Sequence, residues 1–483
     1  MSRRFFYIYA ILFCLASLAF VPFQNKPKTG AYKSKVPVDK SVRNYRDYCS
    51  GCHGNEMQAF VDRKWKYGNK SEDLFKSIKY GYTVAGMPSF EAAFKDADIK
   101  KLAEYIVSGI KKTNTYQFAI PVVENNFKST YFHFKLDTVA RGFKIAWGIA
   151  FLPDNELLFT ERSGKLYRSS PKDGLHEIAG APAVIAESQG GLLDIVLHPD
   201  FKNNGLVYLS YTPAKKTDSA VLSTIAIMRA KLVNDQLTEQ KVLFEAQPYA
   251  KTRHNCGSRM VFGKDGKLYF SVGDWGNENM NPQDLSRDMG KIHRINADGT
   301  IPDDNPFFKT PGASPTIYSY GHRNPQGLAV NPFTNEIWSH EHGPRGGDEL
   351  NIIRNGANYG WPVITYGINY NGKIISKITA KEGMEQPLYY WTPSIAPSGM
   401  CFVTGNRYPG WKGHLLLGSL RFKYLNLCYL KGRKIIREEM LMKNIGRVRD
   451  VRIGPDGYIY VSVENPGYIF RLVPNQSRAV VGR

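Results

Sequence analysis

The sequence contains few cysteines. Six of its 483 residues are cysteine, and Cys49 and Cys52 belong to a single motif. A third, Cys14, lies in an apolar run at the N-terminus. The remaining three are scattered: Cys256, Cys401 and Cys428. This odd remainder excludes a disulfide framework, so the fold must be held together by its apolar core.

Acidic residues are also few, with 43 Asp and Glu against 64 Lys and Arg, which gives a formal net charge of +21. Such a balance suits nucleic acid, a membrane surface or anionic ligands. No nucleic-acid recognition motif is found, so anionic cofactors and an anionic cell envelope are the favoured partners. The 42% apolar and 22% charged content excludes disordered, collagen-like and coiled-coil proteins.

The N-terminus predicts export. In residues 1–23, Arg3 and Arg4 precede the uncharged run Phe5–Val21, as in a secretory signal peptide. An uncleaved N-terminal anchor is the alternative, because the run is close to membrane-spanning length. We therefore expect a periplasmic or secreted protein with possible membrane association through the N-terminus. Residues 24–41, rich in Lys and Pro, are predicted to be a tether.

A C-x-x-C-H motif spans residues 49–53, and its chemistry is specific. The thiols of Cys49 and Cys52 would bond the haem vinyl groups, and His53 would ligate the iron. Met87, in a Gly-Met-Pro turn, is the predicted second iron ligand, with Met57 as the weaker rival. A redox C-x-x-C pair is the structural alternative. Residues 42–112 resemble a class I cytochrome c domain, a small all-α unit, followed by a linker over 113–134.

Long helical periods are lacking after residue 135, where short apolar runs alternate with turns rich in Pro, Asp, Asn and Gly. One strand-turn-strand unit recurs six times. The units are Ile149–Tyr167, Ile195–Tyr211, Met260–Val272, Leu328–His340, Met400–Leu420 and Val451–Val463. Repetition of this kind predicts an all-β fold, a six-bladed β-propeller over residues 135–475. A β-sandwich or two stacked β-domains are the alternatives.

Polar loops between the predicted strands carry candidate site residues. If Arg323, Arg447 and Arg449 converge at the propeller axis, their guanidinium groups would bind an anion with several carboxylates or phosphates. His254 beside such cations would stay neutral and could act as a general base. Each arginine alone would more often form a surface ion pair, and a lone histidine is more often structural.

The segment that begins at Gly343 and Pro344 is rich in glycine and continues to Asp348 and Glu349. Loops of this kind present carbonyl and carboxylate oxygens, which suit a hard cation such as calcium.

Several of these segments together resemble the soluble-type sugar dehydrogenases that depend on pyrroloquinoline quinone (PQQ), also called glucose/sorbosone dehydrogenases. The resemblance covers nearly all of residues 135–475. It is carried by Gln189–Leu193, His198–Phe201, His254 with Gly257 and Arg259, Gly321–Leu328, Gly343-Pro344 with Asp348-Glu349, Asn358–Pro362 and Arg447–Val451.

The resemblance implies a role for each matching position. His254 would take the sugar hydroxyl proton, Arg323 would stabilise the developing charge, and Gln189 would lie near the substrate. The expected PQQ contacts are Arg323, Asn324, Arg421, Arg447 and Arg449. The carbonyl groups of Gly343 and Pro344 would ligate calcium.

The chain departs from the pattern of the glucose enzymes around the substrate. Arg421 replaces a lysine, Trp275 stands where a sugar-contacting glutamine can occur, Arg253 replaces an acid, and Cys256 replaces a glycine. These departures bear on which sugar is bound rather than on the cofactor.

The predicted function is that of an exported quinohaemoprotein. It would oxidise an aldose at the anomeric hydroxyl to a lactone, by hydride transfer to PQQ, and pass electrons to the fused haem c. An external cytochrome or respiratory chain would receive them. Two alternatives remain open: an electron-transfer cytochrome with a non-catalytic carbohydrate- or protein-binding propeller, or a PQQ dehydrogenase for another alcohol or an aldehyde such as sorbosone.

Overall fold

The computed structural model describes residues 39–53, 57, 65, 67–82, 87–113, 125–172, 174–464 and 467–475. The predicted signal or anchor, most of the tether and part of the linker lie outside these ranges. Within them, no helix has the length and apolar character needed to cross a membrane.

The N-terminal part of the described chain is helical. Its segments are α-helix Lys40–Asn44, π-helix Tyr45–Cys49, and α-helices Ser50–His53, Ser71–Tyr80 and Asp96–Thr113. The last helix buries Ile99, Leu102, Ala103 and Ile106, which lie on one face at a spacing of three or four residues. This face joins an apolar cluster that also contains Cys49.

The strands after residue 125 form six antiparallel sheets, blades 1 to 6 in chain order. The first strands are Ala146–Phe151, Leu192–Leu197, Gly257–Phe262, Pro325–Val330, Pro397–Phe402 and Arg447–Ile453. The second strands are Leu157–Glu161, Leu206–Tyr211, Leu268–Val272, Ile337–Glu341, Leu415–Ser419 and Ile459–Glu464. The third are Lys165–Ser170, Ala226–Val233, Lys291–Ile295, Asp348–Ile352, Tyr424–Lys431 and Tyr468–Pro474. The fourth are Gly174–Ile178, Gln236–Glu245, Ile317–Tyr320, Tyr389–Trp391, Lys434–Leu441 and, for blade 6, His133–Arg141.

The six sheets form a closed ring. Each first strand contacts the first strand of the next blade, and that of blade 6 contacts that of blade 1. Blade 6 is completed by His133–Arg141, which pairs antiparallel to Tyr468–Pro474, and Phe127–Lys128 adds a fifth strand outside it. The N-terminal and C-terminal strands of the propeller therefore share one sheet. This confirms the predicted six-bladed propeller, and the sandwich alternatives are wrong.

The six predicted strand-turn-strand units coincide with the first and second strands of the six blades. Outside the blades, the described propeller has the hairpin Ala214–Lys216 with Val221–Ser223 and the short helix Phe201–Asn204. Apolar clusters fill the spaces between neighbouring blades. Among the described cysteines of the propeller, Cys256, Cys401 and Cys428 form no disulfide.

A buried ion-pair network ties first strands of different blades together near the axis. The Arg259 Nη1 atom lies 3.1 Å from Asp194 Oδ1 and 3.2 Å from Asp450 Oδ1, and all three side chains are at most 1% exposed. A Cβ on Gly148 would lie 2.6 Å from the Asp194 carboxylate, which explains why this strand position has no side chain. The network gives the inner ring one arrangement of blades, because each charge loses its partner if a blade shifts.

Candidate active site

Five polar side chains converge at one end of the first and second strands. His254 and Arg323 lie just before the first strands of blades 3 and 4, His342 follows a second strand, and Arg447 and Arg449 lie on the first strand of blade 6. Burial is the largest cause of the lowered pKa of both histidines, the charge of Arg323 lowers both further, and Arg449 and Arg447 also lower that of His342. We call these five residues the axial cluster. All three arginines therefore act electrostatically on His342.

His254 is a neutral imidazole at physiological pH. Burial and then the charge of Arg323 lower its pKa to about 4. Its Nδ1 atom is buried and has no hydrogen-bond partner among the described residues. A Cβ on Gly276, whose φ is +71°, would lie 1.9 Å from the His254 Nε2 atom, so glycine is required there. Nε2 is thus the nitrogen left for a substrate.

The segment around His254 is held by side chains from two blades. The Asn255 backbone N–H donates to Gln189 Oε1 at 2.8 Å, and the Asn255 side-chain amide donates to Asp274 Oδ1 at 2.9 Å. The Gln189 backbone N–H donates to the Arg253 carbonyl at 2.9 Å. Gln189 therefore positions His254 through its Oε1 atom, which leaves its Nε2 amide for a ligand.

Asp274 connects the His254 segment to Arg323, and sequence reasoning did not select it. Its carboxylate accepts hydrogen bonds from the Gly276 N–H at 2.8 Å and the Trp361 indole N–H at 2.9 Å, besides that from Asn255. Its own N–H donates to the Arg323 carbonyl at 2.7 Å. Burial raises the pKa of Asp274. The carboxylate is used for positioning rather than for substrate chemistry.

The Arg323 guanidinium faces carbonyl groups and an aromatic ring. Its Nη1 donates to the carbonyls of His342 and Gly343 at 2.9 and 3.0 Å, and its Cζ atom lies 5.4 Å from the ring centroid of Trp361. The backbone N–H of Arg323 donates to Glu341 at 2.6 Å. Within the described part of the chain the guanidinium forms no salt bridge with a carboxylate, although its charge acts on the buried Asp274, so an anion can still pair with it directly.

Arg447 and Arg449 share one carboxylate. Glu464 accepts from Arg447 Nε at 2.8 Å and from Arg449 Nε at 2.6 Å, and its side chain is 5% exposed. Burial raises the pKa of Glu464, but the two arginines outweigh it and bring it to about 2. The pair therefore carries one uncompensated positive charge, and the planar guanidinium groups suit a ligand carboxylate.

His342 is within reach of the charges of Arg447 and Arg449 and contacts Asn324. Burial and the arginines lower the pKa of His342 to about 3. Its Nε2 lies 2.6 Å from the Pro397 carbonyl, so Nε2 carries the proton and Nδ1 accepts from the Asn324 amide at 3.4 Å. Asn324 Oδ1 accepts from the Gly257 N–H at 3.0 Å. The oxygen of Asn324 thus connects blades 3 and 4, and its amide nitrogen lies beside His342 in the axial cluster.

The Gly343–Glu349 loop is organised by Asp348. Its carboxylate accepts from the Gly343 N–H at 2.9 Å, from the Ser394 hydroxyl, and from the N–H groups of Ile395 and Ala396. Burial and the neighbouring Glu341 raise the pKa of Glu349 to about 8. Among the described residues no three metal-ligating side chains come together. The Gly343 carbonyl, one of the two predicted calcium ligands, accepts a hydrogen bond from Arg323.

The positions that depart from the family pattern have varied surroundings. Arg421 Nη1 donates to the Ser394 carbonyl at 3.2 Å, which connects it to the Asp348 loop. Arg253 turns to Glu187 and to the Val221 carbonyl. Trp275 is 1% exposed and packs in a core cluster with Cys256. A cavity of about 320 Å³ borders Trp275 and Gly276 and lies next to the His254 segment.

The haem motif lies in the helical region. Cys49 is 8% exposed and shares an apolar cluster with Met87 and Met57. Met87 is half-buried, and its backbone pairs with Tyr82 through hydrogen bonds of 2.8 and 3.1 Å. Met57 is 3% exposed, and its sulfur would lie 2.3 Å from a Cβ on Gly109. Met57 therefore fills the core against the last helix, which leaves Met87 as the better candidate ligand.

Comparisons with known proteins agree with this architecture. A family model described as glucose/sorbosone dehydrogenase matches residues 143–471, and one described as cytochrome c oxidase, cbb3-type, subunit III matches residues 37–106. The aldose sugar dehydrogenase of Escherichia coli (strain K12) is 41% identical over 336 residues, covering 68% of this chain and 90% of that protein. The solved apo-form of the soluble aldose sugar dehydrogenase from E. coli has a TM-score of 0.67 at 38% identity, covering 71% of this chain and all of that one.

A PQQ-bound aldose sugar dehydrogenase from Streptomyces coelicolor is also similar, with a TM-score of 0.58 at 28% identity over 71% of this chain and 98% of that chain. The fold and site define a propeller oxidoreductase joined to a cytochrome c domain. The chain belongs to the glucose/sorbosone dehydrogenase family.

Proposed function

We propose that this protein is a PQQ-dependent aldose dehydrogenase that oxidises the anomeric hydroxyl of a sugar to a lactone and delivers the electrons to its own haem c. The observation that carries the proposal is the axial cluster, which places a neutral histidine beside three arginines with a net positive charge. The PQQ-bound form of the S. coelicolor relative supports the choice of cofactor.

His254 acts as the base. With a pKa of about 4 it is unprotonated at neutral pH, and its Nε2 atom takes the proton of the anomeric hydroxyl. The Gln189 amide orients the sugar from the adjoining segment, which its Oε1 atom already fixes. Arg323, which lowers the pKa of His254, offers its charge to the oxygen on which negative charge develops.

The described residues fit a small polycarboxylate such as PQQ. Arg447 and Arg449 share a single carboxylate, and Arg323 has none among the described residues, so an anion with several carboxylates would neutralise the cluster. When bound, PQQ supplies the carbonyl carbon that accepts the hydride. The Asn324 amide lies beside His342, and Arg421 follows Leu420, whose carbonyl accepts a hydrogen bond from Arg447.

Calcium fits less well. The Gly343 carbonyl accepts a hydrogen bond from the Arg323 guanidinium, and the Asp348 carboxylate is saturated by four donors. A calcium ion at Gly343 and Pro344 would lie beside that guanidinium, whose like charge opposes it. We therefore assign no step to calcium.

The haem domain is the proposed electron acceptor. The Cys49, Cys52 and His53 motif and Met87 are the residues that would hold haem c, and the apolar cluster around Cys49 and Met87 suits a buried macrocycle. The signal-like residues 1–23 support a reaction outside the cytoplasm, with an external cytochrome or respiratory chain as the final acceptor.

The test is an absorption spectrum of oxidised, haem-loaded protein with PQQ, before and after a panel of aldoses, with alcohols and aldehydes as further substrates. We expect the haem bands to become reduced when PQQ and an aldose are both present. In His254→Ala, haem should stay attached while sugar-dependent reduction is lost. His133→Ala, an exposed histidine on the outer strand of blade 6, is the matched control and should behave as wild type.

Two outcomes would contradict the proposal. In the first, the haem is reduced by ascorbate but by no substrate of the panel. That result would indicate that the propeller only binds its ligand or that it does not pass electrons to the haem. Reduction by an alcohol or by sorbosone alone would keep the cofactor and change the substrate class.

A further inference from the structure

One contact joins the haem-motif helix to the loop of the axial cluster. The Cζ atom of Arg345 lies 4.0 Å from the ring centroid of Tyr48, within the range of a cation–π interaction. Tyr48 immediately precedes Cys49, and Arg345 immediately follows Gly343 and Pro344. Both side chains are half-buried.

Tyr48 is fixed firmly to the haem side of this contact. Its ring packs edge-on against Phe94 at a centroid distance of 4.9 Å and against Phe90 at 6.3 Å. Phe90 belongs to the apolar cluster that contains Cys49. Tyr48 therefore packs against the same apolar cluster as Cys49, the residue that would attach the haem.

Arg345 is fixed equally well on the propeller side. Its backbone N–H donates to the Ile368 carbonyl at 3.1 Å, and the Gly347 N–H donates to the Trp391 carbonyl at 2.8 Å. In the same loop, the Gly343 carbonyl accepts from Arg323. The Arg345 side chain forms no ion pair within the described ranges, so its guanidinium is available to the aromatic ring.

We propose that Arg345 is the docking residue that holds the haem domain over the axial cluster, through its stacking on Tyr48. The proposal rests on the proposed function, since docking at this loop matters because electrons leave the propeller there. One residue, Pro344, separates Arg345 from Gly343, so the contact connects the haem attachment turn to the Arg323 loop over a very short stretch of chain. Fusion already gives the haem domain a high effective concentration, and this contact selects one orientation.

The chemistry of the pair predicts which substitutions matter. Arg345→Gln removes the cation, and Arg345→Lys keeps the charge but loses the planar stack. Tyr48→Leu removes the ring, whereas Tyr48→Phe keeps it. A cation–π contact of ordinary strength corresponds to about a 5-fold change in the docked population. Arg354→Gln is the matched control, an exposed arginine of the same blade that pairs with Glu385.

Two measurements on the haem-loaded full chain test the proposal. The first compares the rate of sugar-dependent haem reduction with sugar oxidation by an artificial dye in the presence of PQQ. Haem reduction should fall about 5-fold in Arg345→Gln and Tyr48→Leu, while dye reduction stays at the wild-type rate. The double variant Arg345→Gln/Tyr48→Leu should be no slower than either single variant.

The second measurement needs no PQQ. Amide hydrogen exchange of the segment around Tyr48 and of the Gly343–Gly347 loop should accelerate in Arg345→Gln and stay unchanged in Tyr48→Phe and Arg354→Gln. If Tyr48→Leu does not attach haem, the Arg345 variants decide alone. Unchanged haem reduction and exchange in Arg345→Gln would overturn the proposal, as would an equal fall in haem and dye reduction. If wild-type protein shows no sugar-dependent haem reduction, the proposed function has failed, and exchange decides the docking contact.

Discussion

Replacing Gly276 by alanine tests whether the position of His254 controls the reaction. The added Cβ would lie 1.9 Å from the His254 Nε2 atom, the nitrogen that we propose takes the substrate proton. Real Cβ contacts do not fall below 3.0 Å, so the imidazole must retreat by about 1 Å. The methyl group would also stand between Nε2 and an approaching hydroxyl.

The size of the effect follows from the geometry. A misplacement of about 1 Å in a proton-transfer group costs about 100-fold in rate, which corresponds to about 2.7 kcal/mol in the activation free energy. Alanine at the φ of +71° adds about 1–2 kcal/mol of backbone strain to the folded state. Activity should therefore fall much more than stability.

Gly266 provides the matched control. It lies in a turn of the same blade at a φ of +72°, and a Cβ there meets nothing within 4 Å. Gly266→Ala should therefore show the strain without the activity loss. The assay is dye-linked sugar oxidation with PQQ, beside thermal unfolding of both variants. If Gly276→Ala keeps kcat/KM within 2-fold of Gly266→Ala, the assignment of His254 Nε2 as the base is wrong.

Three further results are expected. Glu464→Gln should cost about 3 kcal/mol in the free energy of unfolding at pH 7, because two partly buried arginines lose their shared carboxylate. The pKa of Glu464 is about 2 in the folded protein and 4.5 ordinarily, so the stability lost in the variant is full above pH 4.5 and fades as the pH falls toward 2. A loss below 1 kcal/mol in urea unfolding at pH 7 would contradict this reasoning. By NMR titration of PQQ-free protein, His254 should show a pKa near 4. Arg323→Gln should raise this pKa, although burial should still keep it below 6.5. An unchanged pKa in that variant would remove Arg323 as a cause. Met87→Ala should lower the haem reduction potential in spectroelectrochemistry and Met57→Ala should instead lower Tm, and the reverse pattern would exchange their roles.

The blades were predictable because their information is local. Each unit, such as Ile195–Tyr211, carries its own apolar runs and turn residues, and six copies specify a ring by repetition alone. The C-x-x-C-H motif is equally local, since haem attachment dictates both its spacing and its residue types. The strand His133–Arg141 was harder to assign, because its partner Tyr468–Pro474 lies at the other end of the chain.

The acidic residues of the site were not predictable in this way. Asp274, Glu341 and Glu464 each follow or end a strand of apolar character, and in each case the acid at the strand end was the available signal. Which cation or N–H group each one would meet depended on a different blade. Asn324 and the Gly343 carbonyl were expected to face ligands, yet the structure uses the Asn324 oxygen and the Gly343 carbonyl within the protein.

The sequence by itself determined the repeated strand unit, the haem motif and the set of residues that could carry chemistry, because these depend on neighbours along the chain. The tertiary structure alone decided that two arginines share Glu464, that Gly276 leaves room for the His254 ring, and that Arg345 meets Tyr48. These features depend on closing the ring and on the burial that follows. Burial sets the pKa values and the distances, and both are properties of the folded chain.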